Sequence, residues 1–171
     1  MTRLITLISE TKELVGKPTL ETRPVEHSDA EALARLLFSS YDDGRLTSQA
    51  HALTEIEAVL GGEHGEFYTE ASPVVIDDHD RVVAAALCLR NRTDGGQPSD
   101  VPAIYELFTA ASRRREGLAE KLIRQSLSVM RSDGLEEVSV RIPESNAAAL
   151  ALYLTLEFRR WQDPSEDEEI V

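Results

Sequence analysis

Apolar residues recur along this chain with two periods, and the alternation between them outlines the fold. Leu4, Leu7, Ile8, Thr11, Leu14 and Val15 fall on one helical stripe that Gly16 and Pro18 stop, which predicts a helical appendage over residues 1–18. Leu20 and Thr22 then alternate with charged residues as a short strand ending at Pro24. Ser28-Asp29-Ala30-Glu31 reads as a capping box, and Leu33, Leu36 and Leu37 follow it at core spacing. A second helix is expected over Ser48–Leu60, with Leu53, Ile56 and Leu60 inward and Gly61-Gly62 as its stop. Val74–Ile76 and Val82–Leu89 are apolar runs joined by Asp77-Asp78-His79-Asp80, the pattern of a hairpin. The second run is apolar on both faces, as an interior strand requires. Residues 91–102 form a polar loop before a strand at Ile104–Thr109. Leu118, Leu122, Ile123, Leu127 and Met130 then share one helix face up to Gly134. Val138, Val140 and Ile142 alternate with Ser139 and Arg141 as a clean strand that Pro143 breaks. A last helix is predicted over Asn146–Leu156 and a last strand over Phe158–Trp161.

This order, β-α-α-β-β-β-α-β-α-β, describes one α/β domain with a mixed sheet over residues 19–162. From Asp163 the chain carries five acidic residues in seven, and 163–171 is expected to be a disordered tail. The 171 residues hold 18 Lys+Arg against 31 Asp+Glu, a net charge of −13. That balance argues against a nucleic-acid partner, which needs a broad basic surface, and mildly favours a cationic amine as a substrate. No run approaches a membrane span, and Leu4–Ile8 is too short for a secretory core, so the chain reads as cytoplasmic with no membrane partner. The lone Cys88 sits in an apolar run and reads as a small buried hydrophobe. His79 stands among Asp77, Asp78 and Asp80, but consecutive residues cannot all point inward, and no metal is expected.

Against this acidity, Arg113–Arg124 gathers five basic residues and two acidic ones. The stretch lies where a strand passes into a helix. A helix start carries unpaired N–H groups and a partial positive charge, so it suits an anion such as phosphate. Gly117 lets backbone approach closely, and Ala119 adds little bulk. The same residues would equally serve as a solvated basic turn. No P-loop and no dinucleotide fingerprint is present.

Arg114-Arg115-Glu116-Gly117-Leu118-Ala119 fits the [RQ]-x-x-G-x-[GA] motif of the GNAT superfamily of N-acetyltransferases, and Asn146–Tyr153 followed by Phe158 resembles that family's N-x-x-A-x-x-L-Y run. The two lie in the family's order, 32 positions apart (114 to 146). The resemblance implies a mixed, mostly antiparallel sheet flanked by helices and splayed between its fourth and fifth strands, with acetyl-CoA in the gap and no metal. It implies that Leu107, Phe108 and Thr109 pair with the pantetheine arm and that the Arg114, Arg115, Glu116, Gly117, Leu118 and Ala119 backbone holds the pyrophosphate. Asn146 would sit beside the pantetheine. Tyr153 would protonate the departing thiolate, and N–H groups near Thr109 would stabilise the oxyanion.

The general base stays open. Ribosomal-protein N-terminal acetyltransferases carry a glutamate five residues before the asparagine, where this chain has Arg141. Glu106 is on the cofactor strand but faces away from Thr109, and Glu144 reads as a turn residue. Glu157 stands where the family has glycine, so a different helix exit is expected. Only ten residues follow Trp161. The usual terminal hairpin is therefore curtailed, or completed by the N-terminal appendage or by a second subunit in a homodimer. The function implied is acetyl transfer from acetyl-CoA to a primary amine of a small molecule or peptide. The alternatives are a non-catalytic acyl-CoA-binding module and a plain interaction domain.

Overall fold

The computed structural model describes residues 3–41, 44–98 and 100–163. The acidic tail expected to be disordered lies, beyond Asp163, outside the described residues. Among the described residues seven strands form one sheet: β1 (Leu4–Glu10), β2 (Arg23–Pro24), β3 (Pro73–Ile76), β4 (Val82–Leu89), β5 (Ala103–Thr109), β6 (Glu137–Pro143) and β7 (Arg159–Trp161). Four α-helices among the described residues accompany them: α1 (Ala30–Ser40), α2 (Gln49–Leu60), α3 (Leu118–Ser132) and α4 (Ala147–Thr155). The strand order is β2-β3-β4-β5-β6-β1-β7. All neighbours are antiparallel except β5 and β6. Helices α1 and α2 bury Leu33, Leu37, Ile56 and Leu60 against one face, while Leu122, Ile123, Leu127 and Met130 of α3 pack on the other.

The N-terminal segment corrects the expected helix. Leu4–Glu10 is a strand, inserted between β6 and β7 and antiparallel to both. Its five inner residues, Ile5–Ser9, are all buried, so the run Ile5–Ile8 reflects burial on both faces rather than a helical stripe. Val15, placed on that stripe, is fully exposed. The N-terminal segment thus supplies the strand that completes the terminal hairpin.

Two other local features differ from expectation. The start of α1 is organised by Asp29 rather than by a Ser28–Glu31 box. Asp29 accepts the Glu26 N–H at 2.7 Å and two Arg23 N–H groups at 2.8 Å each. Arg23 and the Glu26 N–H hold its carboxyl below the usual carboxylate range. At the end of α4, Glu157 takes the left-handed conformation that glycine would favour, with φ 70°. The Phe158 N–H donates to the Tyr153 carbonyl at 2.9 Å and the Glu157 N–H to the Leu154 carbonyl at 3.0 Å. The exit is therefore the ordinary glycine-type turn with glutamate forced into it. The Glu157 carboxylate pairs with Lys12 just beyond β1.

On the α1/α2 side of the sheet, β6 and β1 are covered by loop 91–98 instead of a helix. Thr6 Oγ1 donates to the Gly96 carbonyl at 2.7 Å, and Arg141 donates to Gly95 and Gln97.

Candidate active site

β5 and β6 pair only through Ala103↔Ser139 and Ile104↔Val140, after which the strands diverge. The β6-facing edge of residues 105–109 therefore has no ladder partner, and an opening passes through the sheet. Against β4, Leu87 pairs with Glu106 and Cys88 with Ile104, so Tyr105 is an extra residue in β5. This bulge reverses the alternation. Ile104 packs with Met130 and Tyr153 on the α3/α4 side, whereas Phe108 packs with Leu33 and Ile56 on the other.

A cavity of about 130 Å³ occupies the divergence. From the α3/α4 side it is lined by Leu107, Asn146, Ala149, Leu152 and Tyr153, and from the α1/α2 side by Tyr41, Arg45, Glu106 and Arg141. Tyr153 is 3% exposed. Its ring meets Phe158 edge-on at 5.0 Å, a contact set by the turn that ends α4. Burial pushes its phenol well above the usual range, with smaller contributions from Cys88, Glu106 and Tyr41. Among the described residues the Tyr153 hydroxyl has no hydrogen-bond partner, so it is available to a ligand in the cavity. Asn146 caps α4, its Oδ1 accepting the Ala149 N–H at 3.1 Å, which leaves its NH₂ donors for other use.

Glu106 is 18% exposed and lies 3.3 Å from both the Tyr41 hydroxyl and Arg45 Nη2. Burial raises its pKa, while Arg45 and the Tyr41 hydrogen bond oppose that rise. Its strand parity does turn it away from Thr109. Because the strands have parted, that direction leads into the opening, which parity alone could not reveal. Tyr41 and Arg45, between α1 and α2, carry no local pattern and join the site only through the tertiary fold. Cys88 is fully buried and its thiol is pushed up to about 12, chiefly by burial.

The remaining expected residues stand at the other end of β5. Ala111–Glu116 forms a 3-10 turn, and Gly117, with φ 72°, joins it to α3. A side chain at Gly117 would meet nothing within 4 Å, so the glycine serves the backbone conformation and leaves the surface there open. The first-turn N–H groups of Leu118, Ala119 and Glu120 have no intrahelical partner and face outward from the helix start. Arg114 donates to the Ser40 carbonyl at 3.1 Å, Arg113 pairs with Glu116, and Leu118 is buried. Leu107, Asn146 and Tyr153 thus share one cavity. Phe108 turns into the opposite core, and Thr109 with Arg114–Ala119 lies outside the cavity lining. At the acidic hairpin the Asp77 carboxylate accepts the His79 and Arg81 N–H groups, so it shapes the turn.

The architecture is thus a mixed α/β sheet parted beside a glycine-led helix start, with a tyrosine in the gap. The chain belongs to the acetyltransferase (GNAT) family, whose model matches residues 30–158. Its fold is similar to that of a GCN5-related N-acetyltransferase from Sphaerobacter thermophilus, with a TM-score of 0.67 and 16% identity over 92% of this chain and 48% of that one. It is also similar to the aminoglycoside antibiotic 6'-N-acetyltransferase AAC(6')-IG of Acinetobacter haemolyticus, with a TM-score of 0.61 and 18% identity over 84% of this chain and 94% of the other. In sequence, a mycothiol acetyltransferase of Thermobispora bispora is 33% identical over 66 residues, 39% of this chain and 22% of its own length. The chain therefore spans about a fifth of that relative's length. Among the described residues no helix is long and apolar enough to cross a membrane.

Proposed function

We propose that the protein transfers the acetyl group of acetyl-CoA to a primary amine, with Glu106 as the proton acceptor and Tyr153 as the proton donor. The observation that carries this reading is that both groups line one opening through the sheet, from opposite sides. Acetyl-CoA supplies the activated thioester. The unpaired β5 edge and the N–H groups opening α3 suit its pantetheine arm and pyrophosphate, and Gly117 leaves their approach clear. The amine enters from the α1/α2 side. Glu106, its affinity for protons raised by burial, takes the amine proton directly or through one water. Unpaired N–H groups of the β5 edge, toward Thr109, stabilise the oxygen of the tetrahedral intermediate. Tyr153, buried and protonated across the physiological range, gives its proton to the sulfur as the C–S bond breaks. Burial penalises the leaving thiolate as it does the phenolate, so both proton affinities rise together and the transfer stays uphill only by about the gap seen in water, a phenol near about 10 against a thiol near about 8.5.

The test is turnover of acetyl-CoA across a library of amines, read by thiol release and by mass spectrometry of the product. Acetylation of an amine, lost in Glu106→Gln, is expected. Tight acetyl-CoA binding with no acetylated amine anywhere in the library would overturn the reading in favour of a non-catalytic acyl-CoA-binding module.

A further inference from the structure

On the acceptor side of the sheet, Thr6 pairs with Arg141 across one ladder and with Trp161 across the other, so these three side chains form one row. Arg141 lines the opening that holds Glu106 and Tyr153. It also lines a second cavity of about 230 Å³ farther along the row, bounded by Arg3, Thr6, Gly96, Arg160 and Trp161. Three arginines line this second cavity, and Asp163 is its one carboxylate among the described residues.

The charge around Arg141 is not balanced. Arg92 and Arg141, 10% and 14% exposed, share the single carboxylate of Asp94. Arg92 takes both Asp94 oxygens at 2.9 Å, and Arg141 Nη1 reaches Oδ2 at 3.1 Å. The Arg141 Nη2 group is committed to the Gly95 carbonyl and Gln97. Of five guanidinium N–H donors, Nε–H and one Nη1–H have no partner among the described residues. Burial, with repulsion from Arg92, pushes the Arg141 pKa down. Two largely buried cations with one anion leave a surplus positive charge, which is costly unless a further anion joins them. The arrangement is also held in place. A side chain at Gly96, where φ is 77°, would overlap Arg141 Nη2, so the loop closes on the guanidinium. Nearby, Arg3 has no carboxylate within ion-pair distance among the described residues, and Arg160 lies 3.9 Å from Glu144.

We infer that the acceptor amine carries an anionic group, a carboxylate or a phosphate, which Arg141 and the adjoining arginine-lined cavity hold while the amine faces Glu106. This rests on the N-acetyltransferase reading of the same opening and narrows its substrate class. It reverses the expectation drawn from the net charge of −13, because the local balance beside the reacting groups, not the total, selects the acceptor. Trp161 adds a flat apolar wall for the body of such a substrate.

Trp161 is the sole tryptophan of the chain, so indole emission reports on this cavity directly. The full chain is titrated with inorganic phosphate and with succinate at constant ionic strength, with chloride as the control. A saturable change in emission is expected, its midpoint moved about tenfold or more by Arg141→Met and by the Arg3→Gln/Arg160→Gln double variant. The double variant leaves the loop that grips Arg141 untouched and decides the matter if Arg141→Met fails to fold. In kinetics, glucosamine 6-phosphate is compared with glucosamine, and Ala-Asp-amide with Ala-Asn-amide, which separates phosphate from carboxylate recognition. The anionic member of at least one pair should show a kcat/KM about tenfold or more higher, with the preference collapsing in the variants and the KM for acetyl-CoA unchanged. A chloride-like emission response, or turnover that favours the uncharged members, overturns the inference. If no amine at all is acetylated, the N-acetyltransferase reading fails, and the fluorescence titration alone decides whether the anion site exists.

Discussion

Replacing Glu106 by glutamine should separate catalysis from stability in opposite directions. The carboxylate is mostly buried and its pKa is raised, so its ionised form is less favourable in the folded chain than in the unfolded one. Its ion pair with Arg45 is 3.3 Å long, and the Arg45 side chain is 47% exposed, which limits that pair to less than about 1 kcal/mol. Glutamine keeps the shape and an oxygen for the Tyr41 hydroxyl, and removes the buried charge. Folding stability near pH 7 should therefore stay level or rise. For a carboxyl whose folded pKa lies above its unfolded value, the stabilising contribution is complete below about pH 4, the unfolded range, and is lost as pH rises through the folded pKa. The Tm advantage of the variant should accordingly be absent near pH 4 and open as pH increases. Loss of the proposed general base should lower kcat by roughly 10²- to 10⁴-fold. That corresponds to about 3–5 kcal/mol in the barrier. Thermal melts from pH 4 to 9, together with thiol release on an amine found in the library, give both numbers. Retention of kcat within tenfold would remove Glu106 from the proton path. A large fall in Tm at neutral pH would show that the ion pair outweighs the burial penalty.

Tyr153→Phe keeps the edge-on ring contact with Phe158 and should leave Tm within a degree or two, while lowering kcat at least tenfold. Because burial raises the phenol, wild-type rate profiles should show no descending limb from Tyr153 below about pH 10. Leu7→Ala, at 1% exposure in β1, should cost about 2–5 kcal/mol in denaturant unfolding, and a cost under about 1 kcal/mol would make this segment an appendage after all. Asp29→Asn should cost about 1–3 kcal/mol at pH 7. Since Arg23 depresses the Asp29 carboxyl, that contribution is present above the ordinary aspartate pKa and lost as pH falls through the folded value, so the gap should close toward pH 3 in acid-unfolding series. Gly117→Val, which puts a branched side chain at φ 72°, should weaken acetyl-CoA binding at least tenfold by calorimetry, and unchanged affinity would move the pyrophosphate elsewhere.

Legibility followed the range of the interactions involved. The strand at Glu137–Pro143, the capped α2 and the apolar face of α3 rest on local periodicity and capping, and they form where the pattern puts them. The glycine-led start of α3 was legible for the same reason, whereas the α4 exit was not, because Glu157 takes a glycine conformation that its side chain does not announce. The N-terminal strand was not legible, because a short apolar run fits a helix stripe and a doubly buried strand equally well until its neighbours are known.

Sequence alone therefore carried the elements after the N-terminal segment, the two motifs and the family they point to, since each is written in spacings of a few residues. The side that we assign to the acceptor came only with the fold. The Tyr105 bulge and the divergence of β5 from β6 open a path to Glu106, and strand pairing brings Arg141, Thr6 and Trp161 into one row. Those juxtapositions join residues as far apart as Thr6 and Trp161. Side-chain charge and burial acquire meaning there only once the chain has closed on itself.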